Sequence, residues 1–474
     1  MILLALLVAL STAPQQPPGG SAGAGPRVAG DHGASSGTLE PPPTSAQASP
    51  LQRLVDQAAP GATIEVEAGT YVGDLQIDRP LRLVGRHRPL LVGSGAGSVL
   101  RIRADDVVVE GFDLDGRNGG DLGHDSSGIH VAGERATIRD CRIRRSLFGV
   151  YLREAHGTLV ERCRVEGIPG RDPGEKGSGI HVWNTERFRF EHNEVVEARD
   201  GIYIQSSSNG RIIGNVVSNV RYGLHYMFSD DNLFEDNLFE TGAAGTAIMY
   251  SKRITFRRNR FLHNRGFASV GLLFQGCEDV LAEDNLIGDN ARGIFLEGTS
   301  RSRFRRNVIA ESDIAVVLFA SCQTVRFEGN SFVGNMSPLT LVGKRTDTTF
   351  EGNYWSDNDE PDLDGDGRSD RPYRLSSVFD HLRGNLTAAD LMAEGFAARA
   401  LGVAERTFPV LDPISVEDHT PLARPPLLPD VPSGRQRATT HNAFGLGLSF
   451  AGLALGVAGL ARGRARHPRK ERRA

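Results

Sequence analysis

The amino-acid sequence predicts an all-β fold, a right-handed single-stranded parallel β-helix in which successive turns of the chain stack into a solenoid. The prediction depends on two repeated units, Gly-apolar-x-apolar and apolar-x-x-Asn-x-apolar, which recur together about every 22 residues in the middle of the chain. Self-similarity at a fixed period is typical of repeat architectures, in which each unit packs mainly against its neighbours.

The Gly-apolar-x-apolar unit marks one strand of each turn. Its copies begin at Gly128, Gly149, Gly179, Gly201, Gly223, Gly271 and Gly293, and we place Ala247 and Ala315 in the glycine position of two further turns. Side chains alternate between the two faces of a strand. The apolar residues therefore face the interior, and the residue between them faces outward.

The second unit contributes one asparagine per turn. The members of this column are Asn193, Asn215, Asn237, Asn259, Asn285, Asn307, Asn330 and Asn353. At the strand spacing of about 4.8 Å their amides can bond one another and the turn backbone, so we predict a structural ladder and no catalytic residues. Cys141 and Cys163 hold this position in two earlier turns, where a disulfide and two stacked thiols both fit.

Two strand signals per repeat leave no room for a helix, and the exchange of Ile, Val, Phe and Leu argues against a leucine-rich repeat.

The solenoid is predicted to occupy residues 51–355, with about ten full turns over 106–355. A short helix over 51–58 is predicted to cap its N-terminal end. Residues 356–430 are predicted to form an Asp-rich loop, a helical cap near 388–402 and a linker. Caps are expected because the end turns of a solenoid have no neighbour to cover them.

Both ends of the chain predict export and a membrane anchor. Residues 1–13 are an apolar run followed by small residues, which is typical of a secretory signal although the basic start is missing; residues 14–50 have the composition of a disordered tether. Residues 443–461 carry no charge and are long enough for a transmembrane helix, although a buried core helix is the alternative. The basic tail, 462–474, places that end in the cytoplasm, so we expect a periplasmic protein anchored to the inner membrane.

The overall charge argues against nucleic-acid binding. The formal net charge is −4, and the only dense run of basic residues is the C-terminal tail. A nucleic-acid site would need basic residues clustered on one face of the solenoid. No nucleic-acid partner is therefore predicted.

The outward position of the glycine-containing strand forms an unusual stripe. It comprises His130, Tyr151, His181, Tyr203, His225, Met249, Leu273, Phe295, Val317 and Thr340. A solvated face would carry charges, and exposed apolar patches of this length mark interaction surfaces. The alternative is that a flanking loop or the C-terminal extension covers the stripe.

The next outward position adds Trp183, Gln205 and Met227, which brings His225, Met227 and Met249 within one turn of each other. Thioethers with one imidazole suit Cu(I), whereas zinc favours thiolates or several imidazoles, and calcium needs oxygens. Ordinary packing is the alternative explanation. The sequence has no CxxC or CxxxC motif, so a thiolate copper centre is not expected.

An acidic loop follows the repeats. Asp362, Asp364, Asp366 and Asp370 form D-x-D-x-D-G-x-x-D, which resembles a calcium loop. The twelfth position is Tyr373, where an EF-hand has a bidentate glutamate, and flanking helices are not evident. Calcium binding and a capping loop built from Asx-turns both remain open.

Three stretches resemble the NosD family: Tyr222-Gly-Leu-His-Tyr-Met-Phe-Ser-Asp-Asp-Asn232, Ala247-Ile-Met-Tyr-Ser-Lys-Arg253, and Asn353-Tyr-Trp-Ser-Asp followed by Asp362-Leu-Asp-Gly-Asp-Gly. The resemblance implies a non-enzymatic periplasmic β-helix that helps to mature nitrous oxide reductase. It implies three partners besides the reductase: the permease and the ATPase of an ABC transporter, and a periplasmic copper chaperone. It also implies transient Cu(I) as cargo, for which His225, Met227 and Met249 are the candidate ligands.

A polysaccharide lyase or C5-epimerase is the main competing class, because parallel β-helices host uronate chemistry. Its candidate residues are Asp113, Asp115, Asp121, His124 and Asp125, in a Gly-rich loop that also fits a turn insertion. Such an enzyme needs a base, an acid and a charge neutraliser that converge on the substrate. A calcium-stiffened adhesin is disfavoured because the acidic loop occurs once and not in each repeat.

Overall fold

The computed structural model describes residues 49–120, 126–266, 269–343, 346–375 and 416–426. The chain winds as a right-handed parallel β-solenoid of about 13 turns, which confirms the predicted class. A full turn contributes three strands, to three sheets that we call A, B and C. The sequence predicted two strands per turn, and the structural reason for the third is the corner at the asparagine.

Sheet A has 15 strands. In spatial order they are Thr63–Val66, Arg82–Gly85, Val108–Glu110, Thr137–Arg139, Leu159–Glu161, Arg189–Glu191, Arg211–Ile213, Leu233–Glu235, Thr255–Arg257, Leu281–Glu283, Arg303–Arg305, Arg326–Glu328, Thr349–Glu351, Glu417–Asp418 and Tyr373–Arg374. All neighbours are parallel except the last two strands, which pair antiparallel.

Sheet B has 13 strands and sheet C has 12. The strands of sheet B are Thr70–Val72, Leu90–Val92, Asp113–Asp115, Arg142–Arg144, Arg164–Glu166, Glu194–Val196, Val216–Ser218, Leu238–Glu240, Arg260–Leu262, Leu286–Gly288, Val308–Ala310, Ser331–Val333 and Tyr354–Trp355. The strands of sheet C are Leu75–Ile77, Leu100–Ile102, Ser127–Val131, Phe148–Arg153, Ile180–Trp183, Asp200–Gln205, Tyr222–Met227, Ala244–Met249, Val270–Gln275, Arg292–Glu297, Ile314–Phe319 and Ser337–Val342.

The asparagine column lies at the corner between sheets A and B. At Asn237, the preceding residue Asp236 has a left-handed backbone with φ of 55°, which ends the sheet A strand and turns the chain into sheet B. The Asn237 amide nitrogen donates to the oxygens of Ile212 (2.8 Å) and Asn259 (2.9 Å). Its oxygen accepts from the backbone and the side chain of Asn215, both at 2.9 Å. Each asparagine thus satisfies backbone groups at a corner where the strand ladder is interrupted.

The glycine column lies at the start of the sheet C strands, and close approach explains it. A Cβ on Gly223 would lie 2.5 Å from the carbonyl oxygen of Gly245 in the next turn and 2.8 Å from the Phe239 ring. Gly245, and not Ala247, therefore occupies the glycine position of its turn. The placement of Ala247 was wrong because Ala247-Ile-Met-Tyr, which begins two residues after Gly245, also resembles the repeated unit.

Described segments cap both ends of the solenoid. The helix Pro50–Gln57 buries Leu51 and Val55, and the Gln52 side chain bonds the backbone of Gln76 on the edge strand of sheet C, at 2.8 and 2.9 Å. At the other end, Asp418 ends the asparagine ladder: its carboxylate accepts from the backbone and the side chain of Asn353, both at 2.9 Å. Such caps protect an edge that would otherwise pair with another chain.

Several predicted segments lie outside the described residues. They are the signal-like segment 1–13, most of the tether 14–50, the helical cap near 388–402, the transmembrane segment 443–461 and the tail 462–474. Among the helices of the described ranges, none is both long and apolar enough to span a membrane. The membrane anchor therefore stays a prediction.

Candidate functional site

The outer face of sheet C carries two neighbouring rows of side chains. Register pairing defines the first, here called the histidine row: His130, Tyr151, His181, Tyr203, His225, Ala247, Leu273, Phe295, Val317 and Thr340. The second, here called the methionine row, lies two residues further along each strand: Arg153, Trp183, Gln205, Met227, Met249, Gln275 and Glu297. Met249 therefore belongs beside Met227, and its predicted place in the stripe above His225 was wrong.

The rings of the histidine row stack along the solenoid axis. His181 lies between Tyr151 and Tyr203, with ring centroids 4.5 Å from both, while His130 is tilted at 5.1 Å from Tyr151. His225 meets the Tyr203 ring edge-on at 4.8 Å. Histidine thus alternates with tyrosine, and the faces of His181 are covered by Tyr151 and Tyr203.

The histidine row is buried, contrary to the predicted exposed stripe. His130, Tyr151, Tyr203, His225, Leu273 and Phe295 are between 3 and 9 % exposed, and His181 and Trp183 are partly buried. The alternative, that a flanking loop or the C-terminal extension covers the stripe, stays a prediction. Ring stacking, which shields the faces of neighbouring side chains, is one physical reason for the burial. Contact of this row with a partner stays a prediction.

The candidate copper ligands lie together across two adjacent strands. Met227 and Met249 are direct register partners, and His225 precedes Met227 by two residues on the same face. Met249 is 8 % exposed, whereas Met227 is partly exposed. Two thioethers and an imidazole at the surface of one sheet form a soft donor set of the kind that Cu(I) accepts.

A buried carboxylate holds one side of the imidazole. Nδ1 of His225 lies 3.3 Å from Asp200, which is fully buried at the start of the preceding sheet C strand. Arg221 donates to both oxygens of Asp200, at 3.0 and 3.1 Å, and Arg199 donates at 3.1 Å. Burial alone would raise the pKa of Asp200, but the His225 hydrogen bond and the nearby cations outweigh it and hold the pKa well below its usual range. The carboxylate is therefore ionised.

His181 lacks a comparable partner. Its Nδ1 atom is buried and has no hydrogen-bond partner within the described ranges. Burial, followed by the charge of Arg199, lowers the pKa of His181 to about 3. The ring is therefore neutral at physiological pH, and it acts as an uncharged member of the stack.

Sequence reasoning missed the network around Asp200 and an exposed aromatic pair. Phe228 and Tyr250 follow the two methionines, stack at 5.4 Å and are 51 and 52 % exposed. Both have left-handed backbones, with φ of 50° and 52°, which is unusual for aromatic residues. The signal in the sequence was Met-aromatic repeated 22 residues apart. Asp200 gave no such signal, because it lies 25 residues before His225.

The acidic loop has the compactness of a cation site, and it also has internal bonds. Carboxylate oxygens of Asp362, Asp364 and Asp366 lie within 4.8 Å of one another. The same groups bond the loop backbone, as in Gly365 to Asp362 at 2.7 Å, and Asp370 accepts from Leu363 at 2.6 Å. These are the contacts of a capping loop, and calcium binding stays a prediction.

Two of the residues proposed for uronate chemistry, Asp113 and Asp115, are engaged in ion pairs. Asp113 forms an ion pair with Arg88 at 2.8 Å, and Asp115 pairs with Arg144 and Arg145. Residues 121–125, which contain the other three candidates, lie outside the described ranges.

All four cysteines of the chain, Cys141 and Cys163 among them, are free, buried thiols.

Comparisons with known proteins identify relatives of the chain. Residues 167–360 match the sequence model of a family described as "Periplasmic copper-binding protein (NosD)". A protein of Stutzerimonas stutzeri is 30% identical over 379 residues, which cover 76% of this chain and 86% of the relative. A Pseudomonas aeruginosa protein is 31% identical over 399 residues, which cover 81% and 93%. Both relatives are named "Probable ABC transporter binding protein NosD".

The chain belongs to the NosD family. Among solved structures, this NosD chain is similar to the A-modules of the mannuronan C-5 epimerases AlgE4 and AlgE6 from Azotobacter vinelandii, each with a TM-score of 0.52. The identities are 16 and 15%, over 63 and 64% of this chain and 94 and 93% of the epimerase modules. At such identity the likeness shows the β-helix alone, because one fold supports many chemistries.

Proposed function

We propose that this NosD protein is a non-enzymatic accessory factor that accepts Cu(I) as cargo and delivers it to nitrous oxide reductase during maturation. In this proposal it acts with the permease and ATPase of an ABC transporter and receives copper from a periplasmic chaperone. The family description and the relatives' names support the accessory role. The register pairing of Met227 with Met249 beside His225 is the observation that carries copper transfer.

The donor set suits a transient cargo. Thioether sulfurs are neutral, soft ligands that favour Cu(I), and a neutral imidazole adds one stronger donor. The set contains no thiolate that would hold copper tightly. Its place at the ends of two strands, with Met227 partly exposed, gives a partner access from one side.

Location and anchoring belong to the same proposal. A periplasmic site requires export, for which segment 1–13 is the candidate signal. The segment 443–461 would hold the solenoid at the inner membrane, close to a transporter permease. The acidic loop would serve as a rigid C-terminal cap, with or without calcium.

Chelator competition with Cu(I) under reducing conditions tests the ligand assignment. The purified full chain is compared with a His225→Ala, Met227→Ala, Met249→Ala triple variant. Met336→Ala is the matched control, because Met336 is 63 % exposed and lies outside both rows. We expect the triple variant to lose the tightest site and the control to keep it. Equal binding by the wild type and the triple variant, or no binding by either, would overturn the assignment.

A further inference from the structure

His225 is held by contacts on several sides. Its ring meets Tyr203 edge-on at 4.8 Å and Tyr222 edge-on at 5.1 Å, and its Nδ1 faces Asp200 at 3.3 Å. The Arg221 guanidinium lies 4.4 Å over the Tyr222 ring while it forks onto Asp200. The imidazole therefore has little freedom to rotate.

The contact with Asp200 decides which ring nitrogen carries the proton. A carboxylate that accepts two hydrogen bonds from Arg221 and one from Arg199 is an acceptor only, so Nδ1 of His225 must donate to it. In the neutral ring the lone pair then belongs to Nε2. Among the described residues, Nε2 has no hydrogen-bond partner of its own.

The register places Asp200 and Met249 on opposite sides of His225. Asp200 pairs with Tyr222, so it lies one turn before His225 and three residues back along the strand. Met249 pairs with Met227, so it lies one turn after His225 and two residues forward. Strand geometry puts Met249 about 8 Å from His225, Cα to Cα, on the diagonal that leads away from Asp200.

We propose that Asp200 is a positioning residue for copper uptake: it accepts a hydrogen bond from Nδ1–H of His225 and thereby presents the Nε2 lone pair toward Met227 and Met249. Arg199 and Arg221 hold the carboxylate in place. Metal-ligating histidines commonly depend on such a carboxylate partner, whose loss lowers metal affinity about 10–100-fold. The inference rests on the proposed copper function and adds a residue outside the donor set.

A double-mutant cycle tests the inference with Cu(I) alone, measured by chelator competition on the full chain. The variants are Asp200→Asn, His225→Ala and their combination. We expect Asp200→Asn to weaken Cu(I) binding about 10–100-fold when His225 is present. In the His225→Ala background the same substitution should change the weaker residual affinity by less than about threefold, since a residue that acts through His225 has nothing left to position.

Asp289→Asn is the matched control. Asp289 also binds a histidine and an arginine, His263 at 2.8 Å and Arg265 at 2.8 Å, but on another part of the solenoid. We expect its substitution to leave copper affinity unchanged. If Asp200→Asn does not fold, Arg221→Gln replaces it in the cycle, because it loosens the carboxylate without removing the acceptor.

The outcomes separate the two levels of the proposal. If the wild type binds copper and Asp200→Asn leaves the affinity unchanged, the positioning role is overturned and the copper site is not. The same holds if Asp200→Asn lowers the affinity equally with and without His225. Failure of the wild type to bind copper overturns the proposed ligand set together with this inference. A loss that appears only when His225 is present supports both.

Discussion

Asp418→Ala should destabilise the C-terminal end of the solenoid, because this carboxylate ends the asparagine ladder. Its two oxygens accept five N–H groups: the backbone of Gly352 (3.1 Å), Asn353 (2.9 Å) and Thr420 (3.1 Å), the Asn353 amide (2.9 Å) and the Trp355 indole (3.2 Å). Asp418 and Asn353 are fully buried, and Trp355 is 1 % exposed.

The magnitude follows from what each donor can do after truncation. Gly352 and Thr420 are partly exposed and can bond water, and the Asn353 amide keeps its bond to Phe327 at 3.0 Å. The Asn353 backbone and the Trp355 indole remain buried without an acceptor, at about 1–3 kcal/mol each. Relief of the buried carboxylate's desolvation offsets part of this, so we expect a loss of about 3 kcal/mol.

Urea unfolding followed by Trp355 fluorescence measures the effect locally. The chain has two tryptophans, so a Trp183→Phe background isolates Trp355, which stacks on Phe332 at 4.1 Å. Asp418→Asn should lose less, because it keeps one accepting oxygen. The neighbouring Glu417→Ala is the control: its ion pair with Arg374 is at the surface and is worth less than about 1 kcal/mol. Equal midpoints for Asp418→Ala and Glu417→Ala would refute the capping argument.

Two further predictions concern the rows and corners of sheet C. Because the folded pKa of His181 is about 3 and the unfolded value is about 6.5, the unfolded chain binds more protons between these pH values, and stability falls as pH is lowered from 6.5. Between pH 7.5 and 5 the wild type should lose about 2 kcal/mol more than His181→Phe, measured by urea unfolding; equal losses would contradict the burial of a neutral ring. Gly223→Ala should cost about 2–3 kcal/mol in the same assay, because its Cβ would lie 2.5 Å from the Gly245 oxygen. Gly97→Ala, whose nearest neighbour would be 3.7 Å away, should be nearly neutral, and similar costs for both would contradict the close-approach explanation.

The repeat determined most of the fold from the sequence alone. Spacing was enough to predict the parallel solenoid, because every turn of such a solenoid places apolar residues in the same core and an asparagine at the same corner. The asparagine column was equally visible, since an amide that bonds the next turn recurs once per turn. The proximity of His225 and Met227 followed from strand alternation, which needs no tertiary information.

Register and long-range partners were decided by the tertiary structure. In the strand Ala244–Met249, Ala247 and not Met249 lies beside His225, because a close backbone approach requires Gly245 at the start of the strand. Periodicity could not distinguish these alternatives, since a shift of two residues keeps the same faces inside and outside.

Asp200 and Asp418 show the same limit more sharply. Asp200 reaches His225 across 25 residues, and Asp418 reaches Asn353 across 65, so no local pattern marks either one. Each is a single charged residue outside the repeated units. The sequence by itself determined the elements that every turn shares, because these recur. Only the tertiary structure determined the roles of the Asp200 and Asp418 carboxylates, because these roles depend on which distant groups the winding of the chain brings within hydrogen-bond distance.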